Sequence, residues 1–196
     1  MVRTALISFL LFSSSLSYSQ DAYKRAGTLE ASATIAPSAM LNRQENNYYI
    51  MGYAEYHLSP SLSFRSDNFL FVDSGSDISF YNMGVRSYFG AFYHWQHTNW
   101  DKYIGFQSGI AIQQLNPYYE GGKYTFALLE PERTAVSPSF ALTIGTSFYV
   151  WNYFNFFANL SYVNSRLGGV STGPYQTDEL IFSAGLGFQI NTRKAD

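Results

Sequence analysis

The chain of 196 residues contains no cysteine. Disulfide bonds and a lipid-modified amino-terminal cysteine are therefore both excluded. Charged residues are also scarce, at 13% of the chain, whereas a typical soluble domain has about 25%. The formal net charge is −2. Because nucleic-acid binding requires a basic surface, we expect no nucleic-acid partner.

The sequence also lacks a long hydrophobic run. Its most apolar stretch, residues 5–12, is too short to span a bilayer as a helix. Arg3 precedes this stretch, and the small-x-small sequence of residues 17–19 follows it, which is the pattern of a secretion signal. We therefore expect residues 1–19 to be a signal peptide and residues 20–196 to form one domain outside the cytoplasm.

Aromatic residues, by contrast, are abundant, and apolar side chains recur at every second position. Aromatics make up 19% of the chain. Period-two alternation places successive side chains on opposite faces of a strand. The predicted strands are residues 27–36, 47–58, 62–72, 79–89, 103–115, 137–150, 154–164 and 180–190. Behind a secretion signal, they predict an all-β fold, an eight-stranded antiparallel up-and-down transmembrane β-barrel.

The connections between these strands alternate in length. Residues 37–46, 73–78, 116–136 and 165–179 form the longer set, and residues 59–61 and 151–153 form tight turns, with a longer connection at 90–102. Outer-membrane barrels have long extracellular loops and short periplasmic turns. This predicts that both termini are periplasmic and that the mature chain lies in a bacterial outer membrane.

The two faces of the predicted strands differ in charge. One parity is apolar and carries no charged residue, which suits contact with lipid. The opposite parity predicts a polar, side-chain-filled lumen, with a charge network of Glu30, Glu55, His57, Arg65, Asp67 and Arg86. Some of the apolar residues that break this pattern are expected near the rims; the residues that break it are Met51, Phe69, Phe71, Phe157 and Ile181. A secreted lipocalin-like barrel, with the apolar parity inward, is the architectural alternative.

Two segments carry a family resemblance. They are the hairpin from Tyr53 to Ser63 and the pair Tyr88-Phe89-Gly90 and Tyr103-Ile104-Gly105. The chain resembles the small outer-membrane β-barrels that are similar to the transmembrane domain of outer membrane protein A. The resemblance covers nearly the whole mature chain, and it implies architecture and location more than activity. The carboxyl-terminal aromatic typical of that family is displaced, because Phe188 is followed by residues 189–196.

The tight turn at residues 59–61 predicts how the lumen charges meet. It sets Glu55 across from Arg65, and similar reasoning places Glu30 beside Glu55 and Arg86 beside Arg65. Charges in a narrow lumen are costly unless they are paired. We therefore expect a mutually neutralised belt that fills the lumen, with a gate for a narrow ion or solute channel as the alternative.

Aromatic rings cluster where the periplasmic turns are predicted. Amphipathic rings favour the headgroup level of a bilayer. We therefore predict a periplasmic aromatic girdle of Trp95, Trp100, Tyr103, Trp151 and Tyr153.

The most chemically suggestive connection runs from His94 to Asp101. His94 and His97, with Asp101 nearby, are a possible metal-ligating set. Residues 97–99 also resemble the His-x-Ser-Asn region of outer-membrane lipid A deacylases, with Thr98 in place of the nucleophilic serine, so a lipid A-modifying barrel enzyme is a further alternative. We expect these residues to anchor a turn, and we assign no catalytic, cofactor or metal residues.

The segment of residues 116–136 is the best candidate for contact with an external molecule. Tyrosine, glycine and mixed charges suit adaptable recognition surfaces. The contact residues that we predict there are Tyr118, Tyr119, Lys123 and Tyr124. We expect the protein to be a structural or interaction component of the outer membrane, in contact with its lipids, including lipopolysaccharide, and with a possible protein partner.

Overall fold

A computed structural model describes residues 25–42, 45–75, 79–115, 134–167 and 175–192. These residues form eight strands: β1 (Thr28–Met40), β2 (Asn46–Ser59), β3 (Leu62–Ser74), β4 (Tyr81–His97), β5 (Trp100–Leu115), β6 (Thr134–Tyr149), β7 (Phe154–Leu167) and β8 (Tyr175–Asn191). Every strand pairs antiparallel with the next, and β8 pairs with β1, so the sheet closes into a barrel. The predicted eight-stranded antiparallel up-and-down barrel is confirmed. Across these ranges, no helix has the length and apolar character needed to cross a membrane.

The barrel has two unlike ends. At one end, which we call the turn end, short hairpins join β2 to β3, β4 to β5 and β6 to β7. Thr28, near the first of the described residues, pairs there with Asn191, near the last of them. The other four connections lie at the opposite end, which we call the loop end. The tight turns predicted at residues 59–61 and 151–153 are therefore confirmed.

The predicted connection at residues 90–102 is wrong. β4 continues to His97 and β5 begins at Trp100, so that Thr98 and Asn99 alone form the turn. Thr98 has a φ of 53°, which suits a two-residue hairpin whose twist must match that of the strands. The sequence prediction places a loop here because the many polar and tryptophan residues of this segment obscure its period-two alternation.

Large apolar side chains lie on the outer face of the barrel. Ile35 is 69% exposed and Phe106 is 60% exposed, and similar residues are exposed on all eight strands. A lipocalin-like barrel would direct this parity inward. The structure therefore contradicts the lipocalin-like arrangement.

An apolar and aromatic layer fills the middle of the barrel. Its large members are Tyr49, Met51, Tyr53, Phe69, Tyr88, Phe157 and Ile181, with Phe71 packed beside them. Met51 and Phe69 face each other in register near the middle of β2 and β3, so these two residues do not lie at the rims. An eight-stranded barrel is just wide enough for side chains to fill its interior, and these residues do so.

Candidate functional site

A cluster of buried polar groups occupies the interior near the turn end. We call it the turn-end cluster, and its members are Arg25, Glu30, Glu55, His57, Ser63, Arg65, Asp67, His94 and Asp101. Arg25 precedes β1, and the other members lie on β1 to β5. The period-two alternation of side chains explains why these groups meet inside the barrel, because each member that lies on a strand occupies an inward-facing position.

Arg65 is the cation at the centre of this cluster. Its Nε donates to Asp67 Oδ1 at 2.6 Å, and its Nη1 lies 3.9 Å from Glu55 Oε2. Its guanidinium also stacks on the ring of Tyr53 at 3.9 Å. The predicted registers of Glu30 with Glu55 and of Glu55 with Arg65 are both confirmed. The tight turn between β2 and β3 leaves little freedom in the second of these registers.

The two buried histidines each contact a carboxylate. His57 Nε2 lies 3.1 Å from Glu30 Oε1. His94 Nδ1 lies 2.8 Å from Asp101 Oδ2, and the two imidazole centroids are 4.9 Å apart. The suggested pairing of His94 with His97 is wrong, because residues three apart on a strand point to opposite faces and His97 is exposed.

Arg25 closes the cluster at the turn end. It forms an ion pair with Asp101 and stacks on the ring of Tyr149 at 4.1 Å. The backbone of Gly27 donates to the carbonyl of His57 at 2.7 Å, which extends the pairing of β1 with β2 into this segment. Sequence reasoning missed Arg25 because it precedes the first alternating segment. It named His94 and Asp101 as candidate metal ligands but did not place them in the lumen, because both fall in the predicted connection at residues 90–102.

A second buried ion pair lies towards the loop end. Arg86 Nη2 donates to Glu179 Oε1 at 2.5 Å. Glu179 Oε2 accepts from Tyr49 and Ser38, at 2.9 Å each. The prediction that Arg86 lies beside Arg65 is wrong, because Arg86 faces Phe69 in the register of β3 and β4. The longer connection between these strands did not fix the register, and Glu179 was missed because the predicted strand began one residue later.

These contacts divide the interior into three levels. The turn-end cluster and the Arg86–Glu179 pair are separated by the apolar and aromatic layer. All six predicted lumen charges are buried inside the barrel, but they form two groups and not one belt. Each carboxylate in these groups lies beside a guanidinium or an imidazole group, and such contacts are needed for charged groups to be tolerated in a low-dielectric interior.

The predicted girdle is mostly on the outer face at the turn end. Trp95, Trp100, Trp151 and Tyr153 are exposed there. Tyr103 is an exception: its side chain is buried and hydrogen-bonds the amide of Asn159. Its assignment to the girdle is therefore wrong, since the inward parity of β5 begins at Asp101.

Residues 116–133, including Tyr118, Tyr119, Lys123 and Tyr124, lie outside the described residues, as does the segment 1–19. In the hairpin at the turn end, the Thr98 hydroxyl donates to the carbonyl of His97 at 2.6 Å. This hydroxyl is thus bonded to the backbone and not to an imidazole base.

Solved structures share this architecture. Neisserial surface protein A superposes with a TM-score of 0.58 at 16% identity, over 84% of this chain and 96% of that one. OprG from Pseudomonas aeruginosa gives 0.57 at 10% identity, over 88% and 100%. Ail, the attachment invasion locus protein of Yersinia pestis, gives 0.50 at 14% identity, over 84% and 99%. No protein-family model and no curated protein matches the sequence. The chain therefore has the fold of the small eight-stranded outer-membrane β-barrels.

Proposed function

We propose that the chain is an integral barrel of a bacterial outer membrane, where it serves as a structural or interaction component. The observation that carries this proposal is the apolar outer face, which includes Ile35, Phe106 and Phe140. A monomeric water-soluble protein rarely exposes apolar surface that is continuous over large areas. In a bilayer, the same surface is the one that contacts lipid.

The interior supports a structural role more than conduction. Two groups of buried charged side chains and an aromatic layer occupy the space inside the strands. The conducting alternative requires these side chains to move apart. Planar-bilayer recordings test it: we expect wild type, Glu55→Ala and Arg65→Ala to show the same baseline current, and a conductance that changes with these substitutions would favour a channel.

The proposed orientation places the turn end and both termini in the periplasm, after removal of residues 1–19. The exposed rings of Trp95, Trp100 and Trp151 support it, because tryptophan favours the headgroup level. The loop end, with residues 116–136, then faces the cell exterior and lipopolysaccharide.

The proposed contact with an external partner involves Tyr118, Tyr119, Lys123 and Tyr124. Ail, which has the same fold, was crystallised with the heparin analogue sucrose octasulfate, and this supports recognition of surface molecules by such a barrel. Deleting residues 117–133 should leave the barrel folded and abolish capture of a surface partner. Unchanged capture would count against this segment.

Epitope tags test the location and orientation together. A tag inserted between residues 121 and 122 should bind antibody on intact cells, and the matched tag at residues 151–153 should bind only after permeabilisation. The protein should also resist extraction by alkaline carbonate, which removes peripheral proteins. Extraction by carbonate would refute the integral-membrane proposal, and the reverse tag accessibility would refute the orientation.

A further inference from the structure

The two buried histidines are oriented in the way that metal-binding histidines are. Asp101 contacts Nδ1 of His94, and Glu30 contacts Nε2 of His57. A carboxylate partner fixes the proton on the nitrogen that it contacts, so Nε2 of His94 and Nδ1 of His57 become the basic nitrogens. Nδ1 of His57 is buried and has no hydrogen-bond partner within the described part of the chain.

The basic nitrogen of His94 has an unusual environment. It lies 2.8 Å from Ser63 Oγ and 3.0 Å from Glu55 Oε1. The Ser63 hydroxyl donates to Glu55, so its proton is not available to His94. A neutral His94 would therefore direct a lone pair at a carboxylate, an arrangement that calls for a cation between them or a second proton on the ring. The 3.0 Å between His94 Nε2 and Glu55 Oε1 is close to the separation of two ligands of one tetrahedral zinc ion, which is about 3.3 Å for zinc–ligand bonds of about 2.0–2.1 Å.

Three potential ligands meet at this point. One ligand atom from each of Glu55, His57 and His94 lies within 4.8 Å of the other two. The second oxygen of Glu55 is directed to Arg65, at 3.9 Å, so Oε1 is the oxygen that faces the histidines.

The charge of the turn-end cluster also calls for a cation. Apart from the histidines, its ionisable members are Glu30, Glu55, Asp67, Asp101, Arg25 and Arg65. Among the described residues of the cluster, four carboxylates thus face two guanidinium groups. With neutral histidines the cluster carries an excess of two negative charges, which a buried site does not tolerate without compensation. One divalent cation supplies that compensation.

We propose that Glu55, His57 and His94 bind a divalent cation of the zinc class inside the turn end of the barrel. Two imidazole nitrogens and one carboxylate oxygen suit zinc, whereas calcium and magnesium take oxygen ligands. Ser63 Oγ adds a fourth polar group beside the site. The ion would link β2 to β4, which are separated by β3 in the sheet, and would so brace the barrel across its interior.

The test uses the full chain, folded in detergent micelles and freed of metal by a chelator. Calorimetric titration with zinc chloride should give one bound equivalent for wild type. His57→Asn and Glu55→Gln should each weaken zinc binding at least tenfold. His97→Asn is the matched control, because His97 is exposed near the end of the same strand as His94, and it should bind zinc as wild type does. Heat-modifiable migration on gels verifies that each variant is folded.

Three results would overturn the proposal: no stoichiometric zinc binding by wild type, equal affinity in His57→Asn, or loss of binding in His97→Asn. If the first two variants fail to fold, cobalt(II) bound to wild type decides. An intense visible absorption of tetrahedral coordination is expected, and a weak spectrum of six-coordinate, water-like cobalt would contradict the site. The titration does not depend on where the barrel resides, so its failure leaves the proposed function standing.

Discussion

Neighbouring residues of β5 are adapted to two different surroundings. Ile104, Phe106 and Ile110 point outward and are exposed, whereas Tyr103 and Gln107 point inward and are buried. The outer side chains have no hydrogen-bonding groups to satisfy, which suits hydrocarbon. The inner side chains are polar, and Tyr103 pairs with another interior residue. The same strand thus satisfies two requirements, because its side chains alternate with period two.

The largest effect is expected from breaking a buried ion pair. Arg86→Leu leaves Glu179 without its cation in the interior, and the free energy of unfolding should fall by about 3–5 kcal/mol. Urea unfolding in lipid vesicles measures this loss. The matched outward change, Lys102→Leu at the exposed start of β5, should alter stability by less than about 0.5 kcal/mol.

A double variant isolates the pair itself. Adding Glu179→Gln to Arg86→Leu removes the unpaired charge and should restore part of the lost stability. Additive losses would show that Arg86 and Glu179 do not interact.

A charge on the outer face should have the next largest effect. Phe106→Arg places a guanidinium in the middle of the apolar surface, and we expect a loss of about 2–4 kcal/mol in vesicles. The matched change Trp151→Arg, at the turn end, should cost about 0–1 kcal/mol, because the interface hydrates the charge. Equal costs at the two positions would contradict the proposed depth of these residues in the bilayer.

Replacing a glycine by alanine at two positions, Gly105 and Gly52, tests how tightly the inner and outer faces of the barrel are packed. A Cβ added at inward-facing Gly105 would meet the ring of Phe92, so Gly105→Ala should cost about 1–3 kcal/mol through overpacking. A Cβ at Gly52 would lie 3.4 Å from the nearest atom, the carbonyl oxygen of Ser32. Gly52→Ala should therefore leave the urea midpoint nearly unchanged. A larger loss for Gly52→Ala than for Gly105→Ala would refute the packing described for the interior.

The smallest effect is expected from removing one interior hydroxyl. Tyr103→Phe deletes the hydrogen bond to Asn159, and we expect a loss of about 0.5–1.5 kcal/mol. The outward-facing Tyr162 is the control, and Tyr162→Phe should have no measurable effect on unfolding. If the two variants were equally stable, the Tyr103 hydroxyl would contribute nothing to the interior network.

The sequence alone predicted the parts of the barrel that depend on local chemistry. Alternation identified eight strands, and the tight turn at residues 59–61 fixed the register of Glu55 with Arg65. The register of β4 against β3 was not predicted correctly, since the loop of several residues between these strands permits several alignments. Arg86 was accordingly misplaced by four positions in β3, where it faces Phe69 rather than Arg65.

The candidate metal site shows a different limit. Glu55 and His57 lie two apart on one strand, so their shared face follows from the sequence. His94 reaches them only because β4 extends beyond its predicted end. Arg25 and Asp101 complete the cluster from outside the predicted strands, since Arg25 precedes the first of them and Asp101 falls in the predicted connection at residues 90–102. The signal that could have found His94 was the continued alternation of Phe92, His94 and Gln96 with Tyr93 and Trp95.

The orientation of the two faces can be measured directly, because the chain has no cysteine of its own. Single cysteines placed along β5 from residue 103 to residue 112, each carrying an environment-sensitive fluorophore, report the surroundings of each position in vesicles. Brominated lipids should quench residues 104, 106, 110 and 112 and spare residues 103, 107 and 111, with a period of two. Quenching of the first set by a water-soluble quencher, and not by the brominated lipids, would contradict a barrel with lipid outside and a filled interior.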